Sequence, residues 1–215
     1  MFATLALTNV RSFDGTPVAV EVTGAGPSVV LVCGAATTRA MNAPLAALLS
    51  ERFTVHNYDR RGRGDSGDTL PYAVEREYED LRAVIDLAGG SACVFGPSSG
   101  AILAATAAAD GVPVGRLALW EPPFVAGTHD FPVDYAEHVD ELLSQGRNGD
   151  ALAYFMTDAV GLPAEMVAGI GPGPPLLRRR HGRTRFPRCL KHPCRHRAAA
   201  HRVKPRPTLN ERQLL

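Results

Sequence analysis

The fold is decided by one stretch, Ser91-Ala92-Cys93-Val94-Phe95-Gly96-Pro97-Ser98-Ser99-Gly100-Ala101. A short apolar run is followed by small residues and then by an alanine-rich run that continues to Ala109. This order predicts a strand, a sharp turn and a helix, with the pattern G-x-S-x-G inside the turn. A serine at the centre of such a turn has a strained backbone, and its hydroxyl is exposed above the end of the strand.

Ser98 is therefore a candidate nucleophile, and a serine that only fits a tight turn is the alternative. We expect glycine at positions 96 and 100 because a side chain at either would collide with the neighbouring strand or helix. The amide of Ser99 lies at the start of the predicted helix, where N–H groups have no partner and the helix dipole is positive. Such an amide can stabilise an oxyanion.

Strand and helix signals alternate on both sides of this stretch. The turn Asp14-Gly15 predicts a hairpin between the first two strands. The continuous apolar run 28–33 is typical of a strand buried on both faces. The alternation predicts an α/β fold with a mostly parallel sheet and helices on both faces. Besides the strand and helix of the central stretch, the predicted strands cover residues 3–8, 17–23, 28–33, 53–58 and 116–120, and the predicted helices 42–51 and 72–88.

The balance of charge divides the chain at about residue 170. Up to Ile170 there are 10 arginines, no lysine and 21 acidic residues, which gives −11. From Gly171 onward there are 11 arginines, two lysines and one acid, which gives +12. The chain has 215 residues, 45% of them hydrophobic, so it is long enough for one sizeable core.

The cysteines and the N-terminus indicate a reducing compartment. Cys33 and Cys93 fall within predicted strands and are interpreted as small, buried, apolar residues. The N-terminus lacks the basic start and long apolar run of a secretory signal, and no apolar segment reaches about 18 residues. We therefore expect a cytoplasmic protein with no membrane partner.

A second glycine-rich segment follows the strand 53–58, with the sequence Asp59-Arg60-Arg61-Gly62-Arg63-Gly64-Asp65-Ser66-Gly67-Asp68. We expect its arginines to cross-link loops near the carboxyl end of the sheet. No Lys-Ser/Thr pair of the Walker type follows its glycines, and no G-x-G-x-x-G occurs at a strand-to-helix turn. The sequence therefore predicts no cofactor and no metal ion at this site.

Three motifs together resemble the α/β-hydrolase fold superfamily, in its esterase and epoxide-hydrolase-like branch. They are the strand ending Cys33-Gly34-Ala35, the loop 59–66 and the elbow 96–100, in the order and spacing of that family. The segment Trp120-Glu121-Pro122-Pro123 is also similar to members of this group. The resemblance covers about residues 1–170. It implies a hydrolase core of six strands at 1–128 and a helical cap at 129–170, with cap helices at 135–145, 151–160 and 164–170.

The resemblance also implies a serine hydrolase that acts on small, apolar, ester-like substrates. Ser98 is then the nucleophile, and the backbone amides of Ser99 and Ala35 are the donors of the oxyanion hole. Cys33 stands where members of the family usually carry a histidine, a change that leaves the backbone donor possible. Glu121, just after the sixth strand, is the candidate acid, and a loop residue before two prolines is the alternative reading.

No histidine occupies the position expected for the base that a serine hydroxyl needs. His56 lies inside a predicted strand and is interpreted as a core residue. His129 and His138 lie in or beside the cap, and the acidic neighbours of His138 at helical spacing, Asp134 and Glu141, indicate a solvated helix face. The cap is also expected to give the pocket an apolar wall, from Phe124, Phe131, Tyr135, Tyr154, Phe155 and Met156.

Residues 171–215 do not match the family pattern. Arginine, proline, histidine and glycine dominate there, and no seventh or eighth strand is predicted. This composition is typical of an out-of-frame translation of a GC-rich gene. We therefore expect a frameshift near codon 170, a sheet truncated after its sixth strand and a low-order basic tail. Such a hydrolase would be impaired, because its acid and histidine are missing.

Other interpretations stay open at this point. A non-catalytic remnant would expose a buried strand edge and apolar cap surface, and would aggregate. A segment with a charge of +12 can attract nucleic acid, but Phe186 is its only aromatic residue, so no specific nucleic-acid partner is expected. A zinc site has an unusual spacing and no predicted scaffold around it. Its ligands would be Cys189, His192, Cys194 and His196.

Overall fold

The structure is a computed structural model that describes residues 6–123, 132 and 134–168. These residues form a six-stranded sheet with helices packed on it, followed by helices between 135 and 168 in the region of the predicted cap. The strands are β1 (Ala6–Arg11), β2 (Pro17–Thr23), β3 (Ser28–Leu31), β4 (Thr54–Tyr58), β5 (Ala92–Pro97) and β6 (Val114–Trp120). The helices are α1 (Arg39–Leu49), α2 (Val74–Leu87), α3 (Ser99–Ala109), α4 (Tyr135–Ser144), α5 (Asn148–Tyr154) and α6 (Ala164–Ala168), with a π-helical turn at Phe155–Ala159.

The strands are arranged in the order β1-β2-β4-β3-β5-β6. β1 and β2 form an antiparallel hairpin, and β2 is antiparallel to β4. β4, β3, β5 and β6 are parallel, so the predicted α/β fold with a mostly parallel sheet is confirmed. The chain moves from β3 outward to β4 and then back to β5 on the other side of β3. Ligands bind at such a reversal of strand order, outside the carboxyl ends of the strands.

Helices cover both faces of the sheet, as predicted. Successive side chains of a strand point to opposite faces. On one face, Leu31 and Val55 pack with Ala46 of α1. On the other face, the core includes Leu81 of α2 and Leu103 of α3. The parallel strands are therefore covered on both sides, which explains the continuous apolar runs in their sequences.

Helix α1 begins at Arg39, three residues before the predicted start. The carboxylate of Asp59 accepts a hydrogen bond from the backbone N–H of Arg39, with a distance of 2.8 Å between Oδ1 and N. The first amide of the helix is thus satisfied by a residue from another part of the chain. A local sequence pattern does not contain this contact, so the start of α1 could not be read from it.

Strand β3 ends at Leu31, so the prediction that Cys33 lies within a strand was wrong. The N–H of Val32 still donates to the Phe95 carbonyl at 2.8 Å. The Cys33 carbonyl instead accepts a hydrogen bond from Arg60 Nη1 at 3.2 Å, so the chain leaves the sheet there. Cys33 is fully buried as expected, whereas Cys93 in β5 is only partly buried.

The remaining boundaries differ from the predictions by a few residues. β1 runs to Arg11 because that residue pairs with Pro17 in the hairpin. α3 begins at Ser99, β6 at Val114 and α5 at Asn148, each earlier than predicted. The second predicted cap helix, 151–160, is split into α5 and the π-helical turn. The frameshift, zinc and nucleic-acid interpretations of 171–215 lie outside the described residues, as do the interpretations of Phe124, His129 and Phe131.

Strand β6 forms one edge of the sheet among the described residues. It pairs with β5 on one side. Its apolar side chains are exposed, with Leu117 at 41%, Leu119 at 39% and Trp120 at 61%. An apolar edge strand of this kind favours association with other chains, in line with the expected exposure of a strand edge. The truncation itself stays a prediction.

His56 in β4 is a buried core residue, as predicted. It is 4% exposed, and neither ring nitrogen has a hydrogen-bond partner in the described part of the chain. In the strand ladder it lies between Val22 and Val30. Burial in these surroundings lowers the pKa of His56, because the charged imidazolium is poorly solvated there.

We expect the low pKa of His56 to make the fold sensitive to mild acid. Below about pH 6.5 His56 binds a proton in the unfolded state but not in the folded state. The free energy of unfolding therefore decreases as the pH decreases. The loss between pH 7 and pH 5 is at most about 2 kcal/mol. Urea denaturation at both pH values should show this loss in the wild type and its absence in His56→Leu. The variant His138→Gln, in the cap, should keep the His56 contribution, and an unchanged pH dependence in His56→Leu would contradict the assignment.

Candidate active site

The predicted elbow is present between β5 and α3. Ser98 lies at the junction with φ +51° and ψ −124°, outside the regions that non-glycine residues prefer. Ser98 is exposed, and its backbone N–H donates to the Trp120 carbonyl at 2.8 Å. The backbone is therefore fixed at the end of β5 while Ser98 stays exposed. The expectation of a strained, exposed serine at the strand end is confirmed.

Strain is concentrated at this edge of the sheet. Among the described residues, the non-glycine residues with positive φ are Ala36 (+50°), Ser98 (+51°) and Glu121 (+46°). They follow β3, β5 and β6, whose carboxyl ends lie together because the strands are parallel. Strained backbone persists where the surrounding structure enforces it, and it clusters at functional sites. This observation points to the carboxyl edge of β3, β5 and β6 as the functional site.

The elbow is packed tightly against the loop after β3. A Cβ on Gly100 would lie 2.7 Å from the Val32 carbonyl oxygen and 2.8 Å from that of Cys33, so only glycine fits there. The predicted collision with the neighbouring strand is thus confirmed. A Cβ built on Gly34 would lie 3.8 Å from Ser98 Cβ. The segment that carries Ala35 is therefore next to the serine, as an oxyanion-hole role requires.

The arginines of loop 59–68 do cross-link loops, as expected. Arg60 makes a two-pronged ion pair with Glu77 of α2, with Nε–Oε2 at 2.5 Å and Nη2–Oε1 at 2.7 Å. Its Nη1 also donates to the Cys33 carbonyl and, at 3.3 Å, to Ser99 Oγ. Burial alone would raise the pKa of Glu77, but the charge and hydrogen bonds of Arg60 lower it to about 2. The pair is therefore ionised at neutral pH.

Arg61 and Arg63 use different partners. Arg61 donates to Asp80 at 2.7 and 2.8 Å and to Asp14 at 3.0 Å, which ties the loop to α2 and to the β1–β2 turn. Arg63 Nη1 donates to the Gly34 carbonyl at 2.5 Å and to that of Thr37 at 3.4 Å. Arg63 thus holds the loop that contains the proposed oxyanion donor.

Asp59 closes the same network and explains a glycine in the motif. Its carboxylate accepts hydrogen bonds from the backbone N–H of Arg39 and of Asp65, and it pairs with the Arg39 guanidinium. A Cβ on Gly64 would lie 2.0 Å from Asp59 Oδ2, and Gly64 has φ +50°. The motif is therefore a structural scaffold at the carboxyl edge of the sheet.

The Cys33 thiol lies near the elbow but is not suited to nucleophilic attack. Burial raises its pKa to about 11, so the thiol is protonated at neutral pH. Its sulfur is 3.5 Å from the Tyr58 carbonyl oxygen and 3.4 Å from Asn42 Nδ2. Cys33 is therefore not a candidate nucleophile at neutral pH, and Ser98 stays the candidate at this edge.

The structure does not bring an imidazole to Ser98 within the residues it describes. His56 is buried in the middle of the sheet. His138 is on α4, and its ring packs edge-on against Tyr154, with 4.6 Å between the ring centroids. Asp134 and Glu141 are exposed but His138 is half-buried, so the predicted solvated face is confirmed only in part. The reason is that Tyr154 comes from the next helix of the cap, which the spacing of acidic residues within α4 does not reveal.

Glu121 is exposed directly after β6, one residue beyond the Trp120 carbonyl that binds the Ser98 amide. The acid candidate is therefore at the correct edge of the sheet. Its role as an acid stays a prediction, because no hydrogen-bonded imidazole accompanies it in the described part of the chain.

The helices of the predicted cap supply an apolar surface beside the loop of Ala35 and Ala36, which we call the oxyanion loop after its expected role. Tyr135 and Tyr154 stack at 5.3 Å between ring centroids. Ala35 and Ala36 pack against the same cluster as Tyr154, Phe155 and Met156. Tyr135, Tyr154, Phe155 and Met156 are the described members of the predicted apolar wall, and they lie together in this cluster beside Ala35 and Ala36.

Sequence reasoning missed three residues that shape this site: Arg39, Thr37 and Glu77. Arg39 and Glu77 act through partners distant in sequence, Asp59 and Arg60. A glutamate on the apolar side of α2 was the available signal for the pair of Glu77 and Arg60, since a buried carboxylate needs a cationic partner. No comparable signal exists for Thr37, whose hydroxyl donates to the Gly34 carbonyl at 3.1 Å.

The described part of the chain offers neither a metal site nor a membrane-spanning helix. No group of three or more His, Cys, Asp or Glu side chains there is arranged to hold a metal ion. None of the helices in the described ranges is long and apolar enough to pass through a bilayer.

Several known proteins are similar to this chain in sequence and fold. The chain is similar to an alpha/beta hydrolase from Sphaerobacter thermophilus DSM 20745, with 57% identity and a TM-score of 0.76 over 79% of this chain and 66% of that one. It is also similar to the Bottromycin epimerase BotH, determined in complex with Bottromycin A2, with 30% identity and a TM-score of 0.59 over 79% of this chain and 68% of that one. The second likeness shows that the fold alone does not fix the reaction.

Among curated proteins, the chain resembles a pimeloyl-[acyl-carrier protein] methyl ester esterase from Stenotrophomonas maltophilia (strain R551-3). The identity is 42% over 60 residues, which is 26% of this chain and 23% of the esterase. The chain thus spans about a quarter of that esterase and just under two thirds of the Sphaerobacter hydrolase. A family model described as the alpha/beta hydrolase family matches residues 29–210. Because this match covers most of the chain, the protein belongs to the alpha/beta hydrolase family.

Proposed function

We propose that this protein is a serine hydrolase of small, apolar, ester-like substrates, with Ser98 as its nucleophile. The observation that carries the proposal is the backbone of Ser98: a strained, exposed serine between β5 and the first residue of α3. Maintaining such a conformation costs about 1–3 kcal/mol, so the surrounding structure enforces it. The esterase-like relative supports an ester as the substrate class.

The proposed chemistry is acyl transfer. Ser98 Oγ attacks the carbonyl carbon of the ester and loses its proton to solvent. The acyl C–O bond then breaks, and the alkoxide that leaves takes up a proton from solvent. The charge that develops on the carbonyl oxygen is stabilised by the amides of Ala35 and Ser99. Ser99 is the first residue of α3, where an N–H has no partner within the helix. Water then hydrolyses the acyl-serine.

The apolar surface of the cap supports an apolar substrate. Tyr154, Phe155 and Met156 pack beside Ala35 and Ala36, so an acyl group bound at the oxyanion loop would contact hydrocarbon and aromatic groups. Binding sites of this kind select by shape and apolar area, with a small number of polar groups fixing orientation.

We further propose that turnover is slow. A serine hydroxyl is a weak nucleophile without a base, and no imidazole in the described part of the chain bonds to Ser98. The oxyanion donors and substrate binding alone still give about 10³- to 10⁴-fold catalysis over water in enzymes that have lost their triad. Slow acylation followed by slower deacylation is therefore the expected pattern.

The test is the release of p-nitrophenolate from p-nitrophenyl acetate. We expect the wild type to give a burst that approaches one equivalent per chain, followed by slow turnover. Ser98→Ala should give no burst. Ser91→Ala is the matched control, because Ser91 is an exposed serine at the opposite end of the same strand, and it should keep the burst. Equal rates in the wild type and Ser98→Ala would contradict the proposed nucleophile.

A second candidate function is ligand binding without catalysis. It is favoured by the lack of a hydrogen-bonded imidazole at Ser98 within the described residues. Such a protein would bind apolar esters at the same edge of the sheet and release no p-nitrophenolate above the rate of Ser98→Ala. The burst experiment therefore separates the two functions.

A further inference from the structure

We propose that Arg63 is a positioning residue that aims the Ala35 amide at the oxyanion formed on Ser98. The inference rests on the proposed function, since it assigns a role within the same acyl transfer. Arg63 belongs to the loop after β4, and it acts through the backbone of the loop after β3 without touching the substrate.

The carbonyl of Gly34 is held from one side by two donors. Arg63 Nη1 donates to it at 2.5 Å, and Thr37 Oγ1 donates to it at 3.1 Å. Arg63 Nη1 also donates to the Thr37 carbonyl at 3.4 Å, so the guanidinium spans both ends of the turn. Between these ends Ala36 has φ +50°, a strained conformation that the clamp helps to maintain.

The direction of the Ala35 amide follows from this clamp. In a trans peptide the carbonyl and the next N–H point in opposite directions. Gly34 O faces Arg63, which is only 4% exposed, so the Ala35 N–H faces away from the protein interior. This N–H donates to no acceptor in the described part of the chain. A Cβ at Gly34 would lie 3.8 Å from Ser98 Cβ, so the residue that precedes this amide is next to Ser98.

The second oxyanion donor is braced from the same loop. Arg60 Nη1 contacts both Ser99 Oγ, at 3.3 Å, and the Cys33 carbonyl, at 3.2 Å. It thereby connects the first residue of α3 to the residue before Gly34. The two arginines fix both donors relative to each other, and Glu77 fixes Arg60 in turn.

Misalignment of a donor weakens the stabilisation of charge in the transition state and leaves binding of the neutral ester nearly unchanged. Loss of Arg63 should therefore lower the acylation rate constant at saturating ester without changing the half-saturating concentration. It should also change the acyl-enzyme itself. Hydrogen bonds from the oxyanion hole polarise the ester carbonyl, so a misaligned hole raises the carbonyl stretching frequency toward that of the ester in water.

The experiment measures both quantities with p-nitrophenyl acetate in full-length Arg63→Lys, Arg63→Gln and Thr37→Ala. We expect the Arg63 variants to be acylated about 10- to 100-fold more slowly than the wild type. This loss in rate is smaller than, or close to, the loss caused by removing a whole oxyanion donor. Thr37→Ala should change both quantities in the same direction by a smaller factor. Because Thr37 is only partly buried, this variant decides the question if neither Arg63 variant folds.

Arg61→Lys is the matched control. Arg61 is a buried arginine of the same loop, but its partners are Asp80, Asp14, Ser12 and the Arg76 carbonyl, none of them in the loop after β3. It should lower the melting temperature and leave the acylation rate and the carbonyl frequency at wild-type values. Wild-type values in the Arg63 and Thr37 variants would overturn the role of Arg63. Failure of the proposed function looks different, because the wild type itself would then not be acylated, and that result would overturn both.

Discussion

Replacing Glu77 with alanine should lower the free energy of unfolding by about 3–5 kcal/mol, because it leaves the Arg60 guanidinium buried without its counter-ion. The side chains of both partners are 3% exposed, so water cannot substitute for the lost carboxylate. Urea denaturation at neutral pH measures the change. The same pair predicts an acid transition. Because the folded pKa of Glu77 is about 2, its contribution is complete above about pH 4.5 and is lost as pH falls toward 2.

The matched control for this prediction is Glu79→Ala, two residues further along α2. Glu79 pairs with Arg76 at 2.9 Å, but the side chains are 29% and 39% exposed. Removal of this pair should cost less than about 1 kcal/mol. A second comparison is the double variant Arg60→Met with Glu77→Leu, which removes both charges and should recover most of the lost stability. A loss at Glu77 no larger than that at Glu79 would show that the buried pair is not a main support of the loop.

Replacing Gly100 with alanine should disrupt both the fold and the site. The new methyl group would lie 2.7 Å from the Val32 carbonyl oxygen and 2.8 Å from that of Cys33, which are backbone atoms that cannot rotate away. We expect a loss of about 2–3 kcal/mol in the free energy of unfolding. The elbow must also move away from the loop after β3. A displacement of about 1 Å at a reacting group can cost about 100-fold in rate, so the p-nitrophenolate burst should slow by that factor.

Gly149→Ala is the control for Gly100→Ala. Gly149 lies in α5, and a Cβ there would have no heavy atom within 4 Å. Alanine favours a helix over glycine by about 1 kcal/mol, so this variant should be as stable as the wild type or more stable. Thermal melting and the burst assay together check the pair. Equal stability and equal burst rates in Gly100→Ala and the wild type would contradict the tight packing of the elbow.

The elements whose signal is local could be predicted from the sequence. The elbow around Ser98 is specified by residues within a few positions of it, and so are β2 and the core position of His56. The start of α1 could not be predicted, because its first amide binds Asp59 from the next loop. The end of β3 at Leu31 depends on Arg60, which again comes from another segment.

The same distinction applies to the site. Ser98, Ser99 and Ala35 were predicted as a nucleophile with two donors from motif positions, and the structure brings the elbow and the segment of Ala35 together. The roles of Arg60 and Arg63 were predicted only as cross-linking by arginines, because the acceptors in the loop after β3 are backbone carbonyls, which every residue carries. The contact of His138 with Tyr154 was not predicted, because it joins two helices that are separate in sequence. Tertiary contacts between polar groups and backbone atoms have no sequence signature of their own.

The central claim is that the hydroxyl of Ser98 accepts an acyl group at the strained elbow. The most direct test is to treat the full chain with p-nitrophenyl acetate, digest it and locate the acetyl group by tandem mass spectrometry. We predict acetylation of Ser98, suppressed in Gly100→Ala and retained in Ser91→Ala. An unmodified Ser98 in folded wild-type protein, or acetyl groups only on other residues, would contradict the account.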